Sequence, residues 1–209
     1  MRISWISDSG IRIETSQGLI LYNHGSNALT TSSQKDENTI AIFPNQSEKA
    51  NAEKKLLSAT TPIYEPGEYE VKGVPIQGFA IKINDSDVNS FTTIYSVISE
   101  KMSICLINET SNISIPAAVS ESIGKLDVLA LVCNPKVESS LESVNSIVSN
   151  LEPSVLVPVE TGSSSETTDV YPKIIKELGQ TQEESIGKGT ISKSGAQEML
   201  KVLNLRKTA

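Results

Sequence analysis

Short apolar runs separated by polar turns fill the first half of this sequence, and their spacing limits the folds open to the chain. Ile3, Trp5, Ile11 and Ile13 alternate with polar residues, and a Ser-Gln-Gly turn leads into a further apolar run at 19–22. This alternation predicts half-buried strands joined by tight turns. Further β-rich runs lie at 61–64, 69–71, 74–83, 92–99 and 103–107. Their close spacing favours antiparallel hairpins.

The last third of the sequence alternates helix-like and strand-like segments. Over the whole chain, helices are predicted at 47–58 (with Ser47 as N-cap), 116–123, 137–150 and 171–178, strands also at 39–43, 127–133, 155–159 and 189–192, and a loop at 25–38. Antiparallel strands followed by this alternation predict an α/β fold in which helices cover sheets. Two such halves would be compatible with a four-layer α/β/β/α sandwich, and we expect residues 1–209 to form a single domain.

Composition and charge argue against several functional classes. A net charge of −7 and a pI near 4.9 disfavour binding of nucleic acid through its phosphates. Asp8 and Arg12 interrupt what would have to be the apolar core of a signal peptide. Cys105 and Cys133 lie inside apolar β-like runs, which is typical of reduced core cysteines. We therefore expect a cytoplasmic protein that binds neither nucleic acid nor a membrane.

Several stretches carry more information than their hydrophobic pattern. They are SWISDS at 4–9, PGEYEVKGV at 66–74, TIY at 93–95, SIC at 103–105, LDVL at 126–129, and LEP with VP at 151–153 and 157–158. Taken in this order, they resemble the strands of a small bacterial and archaeal branch of the metallo-β-lactamase-fold hydrolases. The resemblance implies a four-layer α/β/β/α sandwich and a histidine-built metal site at the ends of its strands.

This sequence lacks the histidines that the resemblance implies. His24 is its only histidine, and the family's metal loop, His-x-His-x-Asp-His after a buried strand, falls on residues 44–49. The positions where such a site would be expected hold Pro44, Gln46, Glu48, Lys49, Leu106, Glu109 and Glu160. By the same resemblance, the opening histidine falls on Asp8, the early aspartate on Asn23, the bridging aspartate on or next to Glu109, and the last histidine on Glu160.

The chemistry of a zinc hydrolase is not compatible with these residues. Hydrolytic zinc is held by imidazoles and carboxylates, and it lowers the pKa of its bound water to about 7. Pro44 has no ligating side-chain atom, Gln46 offers only a neutral oxygen, and Lys49 would repel a cation. A lone histidine such as His24 cannot define a site and is interpreted as a structural residue. We therefore expect no zinc cofactor.

An oxygen-rich group of side chains would remain at the former metal site. Its members would be Asp8, Asn23, Gln46, Glu48, Glu109 and Glu160. Such a group could hold Mg²⁺, Mn²⁺ or Ca²⁺, with Glu48, Glu109 and Glu160 as candidate acid/base groups. In the favoured interpretation, Lys49 pairs with one of these glutamates and replaces the charge of the metal, so that no cofactor is needed.

Three functional hypotheses follow. The preferred one is a metal-free, non-catalytic binding or assembly domain, either a homo-oligomer or the partner of another protein. The alternatives are an ester or phosphodiester hydrolase that uses a carboxylate-bound hard cation, and a small-molecule sensor. Loops like the turn at 66–73 border the pocket or a subunit contact in the family that this sequence resembles, so the resemblance implies Glu65, Glu68, Tyr69 and Glu70 as candidates for a partner surface. The preferred interpretation is that they are structural hairpin residues. A filled site would favour the binding or assembly domain, and an open carboxylate-rich cavity would favour the hydrolase. An enclosed apolar pocket would favour the sensor.

Overall fold

The computed structural model describes residues 1–6, 9–23, 39–45, 61–83, 90–108, 112–134, 138–161, 170–193 and 199–208. Within these ranges, two β-sheets face each other. The strands are β1 (Arg2–Ile6), β2 (Gly10–Thr15), β3 (Gly18–Tyr22), β4 (Thr39–Ile42), β5 (Thr61–Ile63), β6 (Gly67–Val71), β7 (Val74–Lys82), β8 (Phe91–Ser99), β9 (Met102–Asn108), β10 (Val128–Cys133), β11 (Val155–Glu160), β12 (Gly189–Thr190) and β13 (Lys201–Val202).

The six-stranded sheet has the order β12-β1-β2-β3-β4-β5. Its first three strands in the chain form an antiparallel meander, as the alternating pattern predicts, whereas β4 runs parallel to β3. The prediction that segment 61–64 joins the antiparallel hairpins is wrong, because β5 pairs in parallel with β4, with Ala41 opposite Pro62. The chain passes from one sheet to the other immediately after β5, and spacing along the sequence does not reveal such a change of sheet.

The seven-stranded sheet has the order β13-β11-β10-β9-β8-β7-β6. Strands β6 to β9 form the predicted antiparallel meander, and β9, β10, β11 and β13 are parallel. Helices α1 (Ala117–Ile123) and α2 (Glu138–Leu151) connect these parallel strands, which need crossover connections. Helix α3 (Val170–Glu177) follows β11. The short strand β13 was not predicted, because two residues are too few to show a period.

The main hydrophobic core lies between the two sheets. Side chains such as Ile3, Trp5 and Ile20 from one sheet face Val97 and Leu106 from the other. A second apolar cluster lies on the outer face of the seven-stranded sheet, beneath the helices. Its members include Cys105, Ile107, Leu129, Leu131, Cys133, Val144, Ile147, Ile174 and Ile175. Strands β9 to β11 are therefore covered on both faces, which explains why VLALVC is apolar at every position.

The predicted α/β sandwich is confirmed. Both cysteines are buried, as predicted, and neither takes part in a disulfide. Burial raises the pKa of the Cys105 thiol to about 12, so that this thiol is unreactive near neutral pH. The predicted helix at 47–58 and loop at 25–38 lie outside the described residues. In the parts of the chain that are described, none of the helices has the length and apolar character needed to cross a membrane.

The C-terminal segment closes one side of the sandwich. Strand β12 pairs with β1 and β13 pairs with β11, so this segment passes from one sheet to the other. The Thr208 backbone N–H donates to the Trp5 carbonyl at 2.9 Å, and the Leu203 backbone N–H donates to the Leu156 carbonyl at the same distance. The opposite side of the sandwich carries the terminal strands β5 and β6.

Candidate functional site

The C-terminal ends of parallel strands from both sheets meet at one end of the sandwich. In the register of these strands, Tyr22 lies opposite Ile42 in the six-stranded sheet, and Val132 lies opposite Asn108 in the seven-stranded sheet. On the next strand, Cys133 lies opposite Glu160. We call this region the strand-end basin and define it by Ser9, Asn23, Pro44, Asn108 and Glu160. It corresponds to the place where the sequence predicts the former metal site.

Asn23 joins the two sheets across the strand-end basin. Its backbone N–H donates to the Ile42 carbonyl at 2.9 Å. Its side-chain Nδ2 donates to Ser9 Oγ at 2.8 Å and to Asn108 Oδ1 at 2.9 Å, so that both amide hydrogens are used. The residue is 7% exposed and has a φ of 47°. Asparagine tolerates this left-handed conformation better than most side chains.

The structure describes only some of the predicted site residues. Pro44 follows β4 and is buried, and Glu160 ends β11 with 8% of its surface exposed. Leu106 is fully buried in the core between the sheets. The remaining predicted residues, Asp8, His24, Gln46, Glu48, Lys49 and Glu109, lie outside the described residues.

Two residues of the strand-end basin, Ser9 and Asn108, were not selected from the sequence. Ser9 directly follows Asp8, and Asn108 directly precedes Glu109, so each is adjacent to a predicted position. The sequence placed the bridging position on or next to Glu109, which includes Asn108. Their contact with Asn23 could not be predicted, because it spans 85 residues in one case and brings the two sheets together.

The described part of the strand-end basin does not fit a zinc ion. Zinc needs imidazole, thiolate or carboxylate ligands. The Asn23 amide nitrogen carries its two hydrogens toward Ser9 and Asn108, and Pro44 has no ligating atom. Among the residues that the structure describes, no three His, Cys, Asp or Glu side chains are grouped closely enough to hold a metal ion. Hydrogen bonds between neutral groups join the sheets here.

Tyr22 lies beside the basin at the end of β3 and points into the core. Its hydroxyl is buried and makes no hydrogen bond of normal geometry with any described residue. Burial raises the pKa of Tyr22 well above its ordinary value, and the neighbouring Tyr95 and Cys105 act in the same direction. The nearby backbone of Asn108 acts in the opposite direction. The phenol therefore stays neutral near pH 7 and cannot act there as a base.

Replacing Tyr22 by phenylalanine is expected to leave the free energy of unfolding unchanged or to raise it by up to about 1 kcal/mol. The substitution removes a buried hydroxyl that contributes no normal hydrogen bond, while the ring keeps its packing. Chemical denaturation monitored by circular dichroism measures the effect. Tyr171→Phe is the control, because the Tyr171 hydroxyl accepts a hydrogen bond from the Glu183 backbone N–H at 3.1 Å and its loss should be unfavourable. A loss of more than about 1 kcal/mol in Tyr22→Phe would contradict this prediction.

The predicted partner surface lies on the terminal strand β6. The Tyr69 hydroxyl donates to the Glu65 carbonyl at 2.8 Å, and its ring packs against the core, which agrees with the interpretation of Tyr69 as a structural hairpin residue. Glu65, Glu68 and Glu70 are exposed. Gly78 of β7 lies beneath this region, where an added Cβ would be 3.0 Å from the Glu65 carbonyl oxygen.

Comparison with known families agrees with this architecture. Residues 2–160 match the family model of the beta-lactamase superfamily domain. The chain belongs to the beta-lactamase superfamily. The resemblance inferred from the sequence to the metallo-β-lactamase fold is confirmed. A search of curated protein sequences finds no match to this chain.

Solved structures of the superfamily share the fold at low sequence identity. A Thermotoga maritima protein assigned as a Zn-dependent hydrolase of the metallo-β-lactamase superfamily has a TM-score of 0.71 at 15% identity, with 98% of this chain and 99% of that chain covered. A Parabacteroides distasonis protein assigned as a metal-dependent hydrolase has a TM-score of 0.61 at 10% identity, with 98% and 93% covered. A diiron β-hydroxylase from Streptomyces venezuelae has a TM-score of 0.62 at 10% identity, with 91% and 53% covered. Identities this low show the fold alone.

Proposed function

We propose that this chain is a metal-free member of the superfamily, without hydrolytic activity, that acts as a cytoplasmic binding or assembly domain. The observation that supports the proposal is the pair of hydrogen bonds from the Asn23 amide to Ser9 and Asn108. They join the two sheets at the strand ends, where a metallo-hydrolase of this fold would need ligand atoms directed at a cation. The partner is a second copy of the chain or another protein.

The physical argument concerns the donors and acceptors in the strand-end basin. Both hydrogens of the buried Asn23 amide are accepted by neighbouring oxygens, so these two donors are satisfied without an ion. A cation that used the Asn108 and Ser9 oxygens would have to displace these hydrogen bonds and would leave the Asn23 donors buried without acceptors. The basin is therefore stable in the metal-free state, which supports a non-catalytic role.

The alternative hypotheses make different demands on the same region. A hydrolase with a hard cation needs several oxygen ligands and a water-accessible position for the attacking nucleophile. Asn23, Pro44 and Glu160 are instead buried. A sensor would need an enclosed pocket of about 300 Å³ or more. A pocket of about 250 Å³ lies on the outer face of the seven-stranded sheet, away from the basin, and is partly open to solvent.

The metal content of the protein tests the proposal. Tag-free protein purified without chelator and dialysed against Zn²⁺, Mn²⁺ and Mg²⁺ is expected to retain less than about 0.1 metal ion per chain in elemental analysis, because the donor set is unsuitable. The same sample should not hydrolyse chromogenic esters or phosphodiesters above the buffer rate.

Two outcomes would contradict the proposal. One is near-stoichiometric zinc in the dialysed protein. The other is near-stoichiometric Mn²⁺ or Mg²⁺ that is lost in Glu160→Gln, together with hydrolysis that is lost in the same variant. Glu142→Gln is the matched control, because Glu142 is an exposed glutamate on α2 and its replacement makes the same change of charge.

A further inference from the structure

The two sides of the sandwich differ in how their strand edges are covered. On one side, the C-terminal segment of the chain bridges β1 and β11. On the other side, β6 is the terminal strand of the seven-stranded sheet, and its only strand partner in the described chain is β7. A terminal strand presents unpaired backbone N–H and C=O groups to which another strand can add.

The register of the hairpin identifies the backbone groups at this open edge. Lys72 and Gly73 form the two-residue turn between β6 and β7, and both have positive φ values, 53° and 76°. Val71 and Val74, which flank this turn, therefore form a hydrogen-bonded pair. Because hydrogen-bonded and non-hydrogen-bonded pairs alternate in an antiparallel ladder, the N–H and C=O groups of Glu68 and Glu70 point away from β7.

The side chains at this edge carry negative charge that no cationic side chain in the described ranges neutralises. Glu68 and Glu70 are exposed on the same face of β6, and Glu65 precedes the strand. None of the three forms an ion pair with a residue in the described ranges. Glu14 on the six-stranded sheet provides a contrast, because its carboxylate lies within 3.0 to 3.1 Å of Arg2, Arg12 and Lys188.

A pocket adjoins Glu68 on the outer face of the sheet. It has a volume of about 250 Å³. The residues that line it include Glu68, Pro75, Gln77, Ser96, Ile98 and Ile123. Ile98 is 49% exposed, so the rim of the pocket is apolar as well as acidic. Arginine and lysine combine an apolar stem with a cationic end, and such side chains match a surface of this kind.

Charge disfavours a second copy of the chain at this edge. In an antiparallel pairing of two β6 strands, Glu68 and Glu70 of one chain would lie beside the same residues of the other, and like charges on neighbouring strands are destabilising. The net charge of −7 acts in the same direction. A strand with basic residues at alternate positions would instead place each of them against a carboxylate.

We propose that β6 is the docking edge for an extended segment of a partner protein that carries arginine or lysine at alternate positions. The segment adds an eighth strand to the seven-stranded sheet through the backbone groups of Glu68 and Glu70. Its basic side chains pair with the carboxylates of these residues. The inference rests on the proposed function, because it specifies the class of partner that this binding domain takes.

The probe for this proposal is a labelled peptide of about nine residues in which arginine and threonine alternate, long enough to cover β6. Fluorescence anisotropy is expected to show saturable binding to the full chain. Affinity should fall at least about tenfold in Glu68→Gln/Glu70→Gln, since two charge pairs are lost. It should stay within about twofold in Glu142→Gln/Glu184→Gln, which makes the same charge change at exposed positions elsewhere.

Backbone methylation of the peptide tests strand addition itself. In an antiparallel pairing with β6, the arginines that lie opposite Glu68 and Glu70 direct their own N–H groups at β6, so N-methylation at the arginines should abolish binding. N-methylation at the threonines, whose N–H groups point away, should preserve it. Hydrogen exchange at the Glu68 and Glu70 amides should slow when the unmodified peptide is bound.

Three results would overturn the docking proposal. They are the absence of saturable binding, equal weakening by the two double variants, and a dimer in sedimentation whose formation slows hydrogen exchange at the Glu68 and Glu70 amides. The absence of saturable binding would exclude this class of partner. Equal weakening would show a general attraction between charges, and such a dimer would show that a second copy of the chain binds at β6. The peptide measurement does not depend on metal content, so a lack of peptide binding would leave the proposed function intact. Bound metal in the elemental analysis would contradict only the proposed function.

Discussion

Replacing Asn23 by alanine is expected to lower the free energy of unfolding by about 3 kcal/mol, since it leaves two partly buried acceptors without their donor and strains the backbone. The substitution removes the hydrogen bonds to Ser9 Oγ and Asn108 Oδ1. It also places a Cβ without a compensating polar group at a φ of 47°. Urea denaturation followed by circular dichroism and by Trp5 fluorescence measures the change.

Two further variants separate the causes of this effect. Asn23→Gly removes the same side chain but accepts the positive φ, so it should be about 1 kcal/mol less destabilising than Asn23→Ala. Asn204→Ala is the control, because the Asn204 side chain donates one hydrogen bond, to the Glu183 carbonyl at 2.8 Å, and its loss should cost about 1 kcal/mol. If Asn23→Ala cost no more than this control, the contact between the sheets would not be a stabilising element, and the argument for a metal-free basin would lose its support.

Replacing Gly78 by valine is expected to lower the free energy of unfolding by about 3 kcal/mol, since side-chain atoms would be forced into a filled space. Even a Cβ at this position would lie 2.9 Å from Tyr95 Cε1, 3.0 Å from the Glu65 carbonyl oxygen and 3.2 Å from Pro66 Cα. Two of these three atoms belong to the backbone, which cannot move aside as a flexible side chain can. Thermal and urea denaturation measure the loss.

Smaller substitutions control for the size of the side chain. Gly78→Ala should cost about 2 kcal/mol, because its single methyl group already meets backbone atoms. Gly187→Ala should change the free energy of unfolding by less than about 0.5 kcal/mol, because its Cβ would make only ordinary contacts, the nearest at 3.5 Å from Thr208 Cγ2. A tolerated valine at position 78 would show that the connection before β6 moves freely, and the docking edge would then be less well formed than we infer.

Much of the architecture could be predicted from local pattern. Alternating residues such as Ile11 and Ile13 predict β2, and the uniformly apolar segment VLALVC predicts a strand. These predictions succeed because the period of a buried face is a local property of the backbone. The PGEYEV segment also carried the resemblance to the family. In the structure it forms β6 and the connection before this strand.

The candidate site could be predicted only in part. The lack of ligating chemistry at Pro44 is visible in the sequence, because proline has no side-chain donor atom in any fold. The hydrogen-bonded contact of Asn23 with Ser9 and Asn108 is not visible there, since its partners are 14 and 85 residues away. Ser9 and Asn108 became recognisable only when the ends of β3 and β9 were placed side by side.

The sequence by itself therefore determined the types of elements and the loss of histidine ligands, because each follows from residues that are close along the chain or from composition. The tertiary structure decided that β5 joins β4 in the six-stranded sheet, that Asn23 connects the two sheets, and that β6, with its two exposed glutamates, ends the seven-stranded sheet. These features depend on which distant segments pack together. The free energy of that packing comes from the whole core between the sheets, and no local pattern records it.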